Sequence, residues 1–80
     1  MSRIIDGSQC NLVGEKIKYY RKKRKYSQQT LSDKLETMAI YVCRGSISRV
    51  EDGSRTVTDI ELYCFSKILD VPIENFFPNE

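Results

Sequence analysis

Histidine is absent from this 80-residue chain, and its three cysteines, Cys10, Cys43 and Cys64, lie far apart with no Cys-x-x-Cys pair. That combination argues against a zinc site and against a disulfide scaffold. An odd, widely spaced set of cysteines fits a reducing, cytoplasmic compartment, and Cys43 and Cys64 read as small core residues. Long apolar runs are also missing. The longest, Met38 to Cys43, falls far short of the ~20 residues a spanning helix needs, and no signal-like segment opens the chain. No glycine-rich phosphate loop and no clustered acid pair with a catalytic partner occur, so no enzyme, metal or cofactor is expected.

What is present is charge, unevenly placed. Residues 1–55 hold 12 basic and 6 acidic side chains, a balance of +6, whereas residues 56–80 hold 1 and 5, a balance of −4. A basic front half suits a polyanionic partner, although a tilt of this size decides little by itself. Eighty residues with 40% hydrophobic content make one domain with a small core, for which a helical bundle is the usual solution.

The stretch from Ser27 to Gly53 carries the strongest pattern. It reads as two helices joined by a bend. The first opens at Ser27 and sets Leu31 and Leu35 on one face; the second runs from about Arg44 to Asp52, sets Ile47 and Val50 inward, and stops at Gly53. The outward positions of the second are Arg44, Gly45, Ser48 and Arg49. A short helix with an arginine and small-polar front and an aliphatic back can lie in a DNA major groove while its back packs on a domain.

Ser27-Gln28, Leu31 and Ile47-Ser48-Arg49-Val50-Glu51-Asp52-Gly53 together resemble the helix-turn-helix signature of phage-repressor-like (Cro/repressor type, XRE family) DNA-binding proteins. The resemblance covers roughly residues 14 to 77. It implies an all-α, five-helix domain with the helix-turn-helix at its second and third helices. It further implies a sequence-specific regulator that binds double-stranded DNA, commonly as a homodimer. In this family the residue matching Gln28 binds the DNA backbone, and the residues matching Arg21 and Glu51 form a structural ion pair. Two departures stand out. Lys25 occupies a place where the family usually has Gly or Asn as a left-handed cap. Eleven residues separate Leu35 from Ile47, where the usual form has about six.

In chain order, residues 1–12 read as an arm in which Ile4 and Ile5 can dock on the domain or on a partner, and residues 13–78 as the domain. Expected helices span about 13–24, 28–39, 44–52, 59–69 and 73–77, with boundaries uncertain by two to four residues. Seven of the 13 basic residues fall between Lys16 and Lys25; most read as a solvated face, with Arg24 and Lys25 as candidate phosphate contacts. Ser27 can cap its helix, with Tyr26 packing on Leu31 as a hydrophobic staple. Ile40, Tyr41 and Val42 read as an apolar bridge. Cys43 is a poor N-cap, and Gly45 inside a helix costs about 1 kcal/mol against Ala, offset by close approach to DNA or merely tolerated at a helix start. Ser54 and Arg55 are further candidate backbone contacts. Thr58-Asp59-Ile60-Glu61 forms a capping box with Val57 and Leu62 as its staple, and the helix buries Leu62, Phe65, Ser66 and Leu69 before Val71-Pro72 breaks it. Ile73, Phe76 and Phe77 fold onto the core.

Two functions are weighed. In the first, Arg44 and Arg49 read bases, Ser46 and Ser48 add base or phosphate contacts, and Gln28 and Arg55 position the backbone. In the second, the same fold serves as a protein-interaction module, an antitoxin or adaptor, with weak or no DNA binding. Outward acids on the second helix of the pair would favour that reading, and Asp52 is the only acid near its front.

Overall fold

The computed structural model describes residues 9–78. Four α-helices follow in order, α1 (Gly14–Lys23), α2 (Gln28–Glu36), α3 (Arg44–Glu51) and α4 (Asp59–Leu69), and then a short 3-10 helix, Ile73–Phe76. No strand occurs among the described residues. The expected fifth α-helix is therefore a 3-10 turn. Its four residues are too few for an α-ladder, and Asn75 N donates to Pro72 O at 2.9 Å, three residues back.

The helices start where the sequence offers caps. Ser27 Oγ accepts from Thr30 N at 2.9 Å. At α4 the capping box is complete, with Glu61 N donating to Thr58 Oγ1 at 3.1 Å and Thr58 N donating to Glu61 Oε1 at 3.0 Å. The helix ends share one device. After each of the four, a left-handed residue turns the chain: Lys25 (φ 62), Ala39 (φ 63), Gly53 (φ 86) and Asp70 (φ 56). The next amide then reaches back to a carbonyl inside the helix: Tyr26 N to Arg21 O at 3.1 Å, Ile40 N to Leu35 O at 3.1 Å, Ser54 N to Arg49 O at 2.9 Å and Val71 N to Ser66 O at 3.1 Å. These six-to-one bonds satisfy carbonyls the helix leaves open.

Only one of those four turns uses glycine, and the turn at Ala39 is the one the sequence did not announce. Lys25 adopts the left-handed conformation that the resemblance implied for a Gly or Asn at that place. Ala39 closes α2 at Glu36, so the helix expected to reach 39 ends three residues earlier. The chain then runs extended past the half-buried Ile40, the exposed Tyr41 and the buried Val42 into α3. Alternation along extended backbone turns Tyr41 outward and leaves it 77% exposed.

The core gathers Val13 and Ile17 from the first helical turns, Leu31 and Leu35 from α2, and Ile47 and Val50 from α3. Cys64, Phe65 and Leu69 come from α4, and Val42, Val71 and Phe76 from the connections and the 3-10 helix. Tyr20 meets Phe76 edge to face at 6.0 Å between ring centres, a favoured aromatic geometry. Leu62, Ser66 and Ile73 are half-buried rather than buried, and Ser66 Oγ donates to Val71 O at 2.6 Å. Two further expectations of burial fail. Cys43 is exposed, because the extended approach to α3 takes Val42 inside and leaves its neighbour out. Phe77 is 40% exposed, because backbone extension after Phe76 sends consecutive side chains opposite ways.

Candidate functional site

α3 is amphipathic in the way its sequence requires. Ile47, Val50 and Glu51 are buried, while Arg44, Gly45, Ser48 and Arg49 are exposed and Ser46 is half-buried. The helix is short, at eight residues, so its own hydrogen-bond ladder contributes little and tertiary contacts must hold it.

Its C-terminal end is held by a buried polar joint. Arg21 Nε donates to Glu51 Oε2 at 2.6 Å and Arg21 Nη2 to Glu51 Oε1 at 3.1 Å. The two side chains are 8% and 3% exposed. Arg21 Nη1 also donates to Tyr26 O at 2.8 Å, and Gln28 Nε2 to Glu51 Oε1 at 3.1 Å. One carboxylate thus joins the end of α1, the start of α2 and the end of α3. Among the described residues no buried side-chain nitrogen or oxygen lacks a hydrogen-bond partner, which is the condition under which a buried ion pair is tolerated.

A second fastening, at Asn11, was missed in the sequence. Asn11 Oδ1 accepts from Val13 N at 3.1 Å and Gly14 N at 2.7 Å, capping α1. Asn11 Nδ2 donates to Val50 O at 3.1 Å and Arg55 O at 2.7 Å. Cys10 N adds a bond to Gly53 O at 2.8 Å. The residues just before α1 are thus fastened to the domain; the rest of the expected arm, with Ile4 and Ile5, lies outside the described residues. Gly14 completes the joint. A Cβ there would lie 1.9 Å from Val50 O, so only glycine lets α1 approach α3 so closely. The one available signal was an Asn three residues ahead of Gly at a helix start.

The remaining candidates divide by what already holds them. Arg24 Nε donates to Leu69 O at 2.9 Å, and its Nη2 lies 3.5 Å from Asp70 Oδ2. Arg24 thus caps the end of α4. Arg55 forms a two-pronged pair with Glu61, Nη1 to Oε1 at 3.0 Å and Nη2 to Oε2 at 3.1 Å, and Nη1 also donates to Thr56 O at 3.0 Å. That hydrogen bonding raises the Arg55 pKa and holds the Glu61 carboxyl below its ordinary range. Both arginines were candidate phosphate contacts, and both are engaged within the domain. Ser54 Oγ donates to Asp52 Oδ1 at 2.6 Å and Ser54 N donates to the same oxygen at 2.9 Å. These bonds, ahead of the nearby Arg49 charge, lower the Asp52 pKa. Lys25 is exposed.

At the other end of α3, Cys43 stands at the N-cap with its Sγ 3.4 Å from Ser46 Oγ. The Ser46 side chain first, then the Ser46 and Gly45 backbone amides and the Arg49 charge, pull the Cys43 thiol pKa down. Arg49 Nη2 donates to the same Ser46 Oγ at 3.1 Å.

Two helices, α2 and α3, joined by a turn, packed on α1 and α4, and presenting the second helix outward, define a helix-turn-helix fold. No protein-family model matches the chain, and no curated protein matches it. Among solved structures, the crystal structure of the DNA-binding domain of BldD is similar with a TM-score of 0.72, covering 92% of this chain and 100% of that one at 18% identity. The likeness is one of fold. No helix among the described residues is long and apolar enough to cross a membrane.

Proposed function

We propose that this protein is a sequence-specific DNA-binding transcriptional regulator of the phage-repressor-like (XRE) type, acting in the cytoplasm as a homodimer on a two-fold site, with no enzymatic activity. The observation that carries the reading is the two-sidedness of α3. Its back is fastened by Ile47, Val50 and Glu51, and its front offers Arg44, Gly45, Ser48 and Arg49 to solvent. A guanidinium on such a face can donate two parallel hydrogen bonds to guanine O6 and N7. Ser48 is placed to add a base or phosphate contact. Gln28, in the first turn of α2, offers its backbone amide to a phosphate, with its side chain held on Glu51. Lys25, exposed, is placed to meet a phosphate. Arg24, Ser54 and Arg55 reach phosphates only by sharing or leaving the partners they now hold. The fold shared with the DNA-binding domain of BldD supports the reading.

The experiment is selection of bound sites from random duplex DNA, followed by binding isotherms on the selected site at several stated salt concentrations, since salt alone changes such affinities by orders of magnitude. The reading expects an enriched, approximately two-fold symmetric site. No enrichment, with binding that is weak on all duplexes, overturns it in favour of a protein-interaction module.

A further inference from the structure

We propose that Ser46 acts on DNA through Arg49, as the seat that aims its guanidinium, rather than as a contact of its own. This rests on the reading of α3 as the DNA-reading helix. Three observations lead to it. Arg49 Nη2 donates to Ser46 Oγ at 3.1 Å, one turn back along the helix. A Cβ at Gly45 would lie 3.8 Å from Arg49 Nη1, an ordinary contact distance, which places the guanidinium beside residue 45. Ser46 Oγ also lies 3.4 Å from Cys43 Sγ at the helix N-cap.

Side chains on a helix lean toward its N-terminus, and here that lean has a landing place. The two terminal nitrogens of Arg49 lie near residues 45 and 46, so the fork lies back along the helix. An arginine is rich in rotamers, and a reader must give that freedom up on binding. A side chain already held in one orientation gives up less of it in the complex, and the saving for one rotamer-rich side chain corresponds to about two- to tenfold in affinity. Ser46 is half-buried, which suits a residue that faces its neighbour's side chain more than a ligand.

The test is a double-mutant cycle on the selected duplex and its single-base variants, with Ser46→Ala, Arg49→Ala and the double variant, and Ser46→Thr as the conservative control. Ser46→Ala is expected to weaken the preferred site by about two- to tenfold and to flatten discrimination at the same base pair that Arg49→Ala affects. In the Arg49→Ala background it should add nothing. Ser46→Thr, which keeps the hydroxyl, should keep the discrimination. An equal loss from Ser46→Ala in both backgrounds shows that Ser46 touches DNA itself and overturns the proposal, as does no loss in either. If the parent protein prefers no duplex at all, the reading of α3 falls and the seat falls with it. If the parent prefers a site and only the coupling is missing, the seat alone is wrong.

Discussion

The two glycines of the site teach opposite lessons. At Gly14, on the buried side where α1 meets α3, a Cβ would lie 1.9 Å from Val50 O, a backbone atom that cannot step aside. At Gly45, on the exposed side, the nearest atom to a new Cβ is the far end of Arg49 at 3.8 Å. One glycine is demanded by packing. The other is not demanded by anything in the free protein, and inside a helix it is a liability. The same division runs through the charged residues of α3: Glu51 is sealed into the joint with Arg21 and Gln28, while Arg44 and Arg49 face water. The back of the helix carries its stability, and the front is free to be shaped by a ligand.

The largest expected effect breaks the back. Glu51→Ala leaves Arg21 buried without its partner and should cost about 3–5 kcal/mol of folding stability, read by denaturant unfolding. DNA binding should then fail only because α3 is no longer held in place. A protein whose midpoint hardly moves would show that the joint is dispensable. Next comes Gly14→Ala, which forces α1 away from Val50 and should cost about 3 kcal/mol, the upper end for overpacking.

Changes to the front should do the reverse, sparing the fold and altering recognition. Arg49→Ala and Arg44→Ala should each leave stability within about 0.5 kcal/mol. Each should lose about 1–3 kcal/mol on the preferred duplex, with preference relaxed at one base pair. Arg24→Ala is a contrast, because Arg24 caps the end of α4. If it also meets a phosphate when bound, its loss should weaken every duplex alike and flatten the salt dependence by about one ion. Gly45→Ala should raise stability by up to about 1 kcal/mol. A simultaneous loss of DNA affinity would show that the front approaches the duplex too closely for a side chain at that position, whereas unchanged affinity would show that residue 45 leaves room.

The smallest effect concerns acid. Glu61 is held below the ordinary carboxylate range, first by its hydrogen bond to Arg55 and then by the Thr58 amide at the α4 cap. A depressed folded-state pKa means stability that is present above the unfolded-state value, roughly 4.3, and is lost as pH falls through the lower folded-state value. Glu61→Gln should therefore be less stable than the parent at neutral pH, with the gap narrowing below about pH 4. A gap that stays constant with pH would show that the pair contributes through shape alone. The group is partly exposed, so the effect is screened and small.

The readability of these features follows their chemistry. The α4 start was legible because a capping box names both partners within four residues of sequence. The helix-turn-helix was legible because apolar spacing and a Ser-Gln start fall in one short stretch. The premature end of α2 was not, because Ala39 bears none of the marks of a left-handed turn. Asn11 was not, because its partners Val50 and Arg55 lie 39 and 44 residues away. Arg24 and Arg55 looked free because their partners, Leu69 and Glu61, become neighbours only in the folded chain.

By itself, then, the sequence determined the places of the four α-helices and which face of each is apolar, because periodicity and caps act within a few residues of one another, but not the early end of α2 or the 3-10 form of the last helix. It also determined that the outward face of α3 carries Arg44, Gly45, Ser48 and Arg49, since helical geometry places them there once Ile47 and Val50 turn inward. Only the tertiary structure decided which basic residues remain available. Every arginine competes for carbonyls and carboxylates brought near by folding, and Arg21, Arg24 and Arg55 found them while Arg44 stayed exposed. Arg49, also exposed, settled on its own helix, where Ser46 receives it.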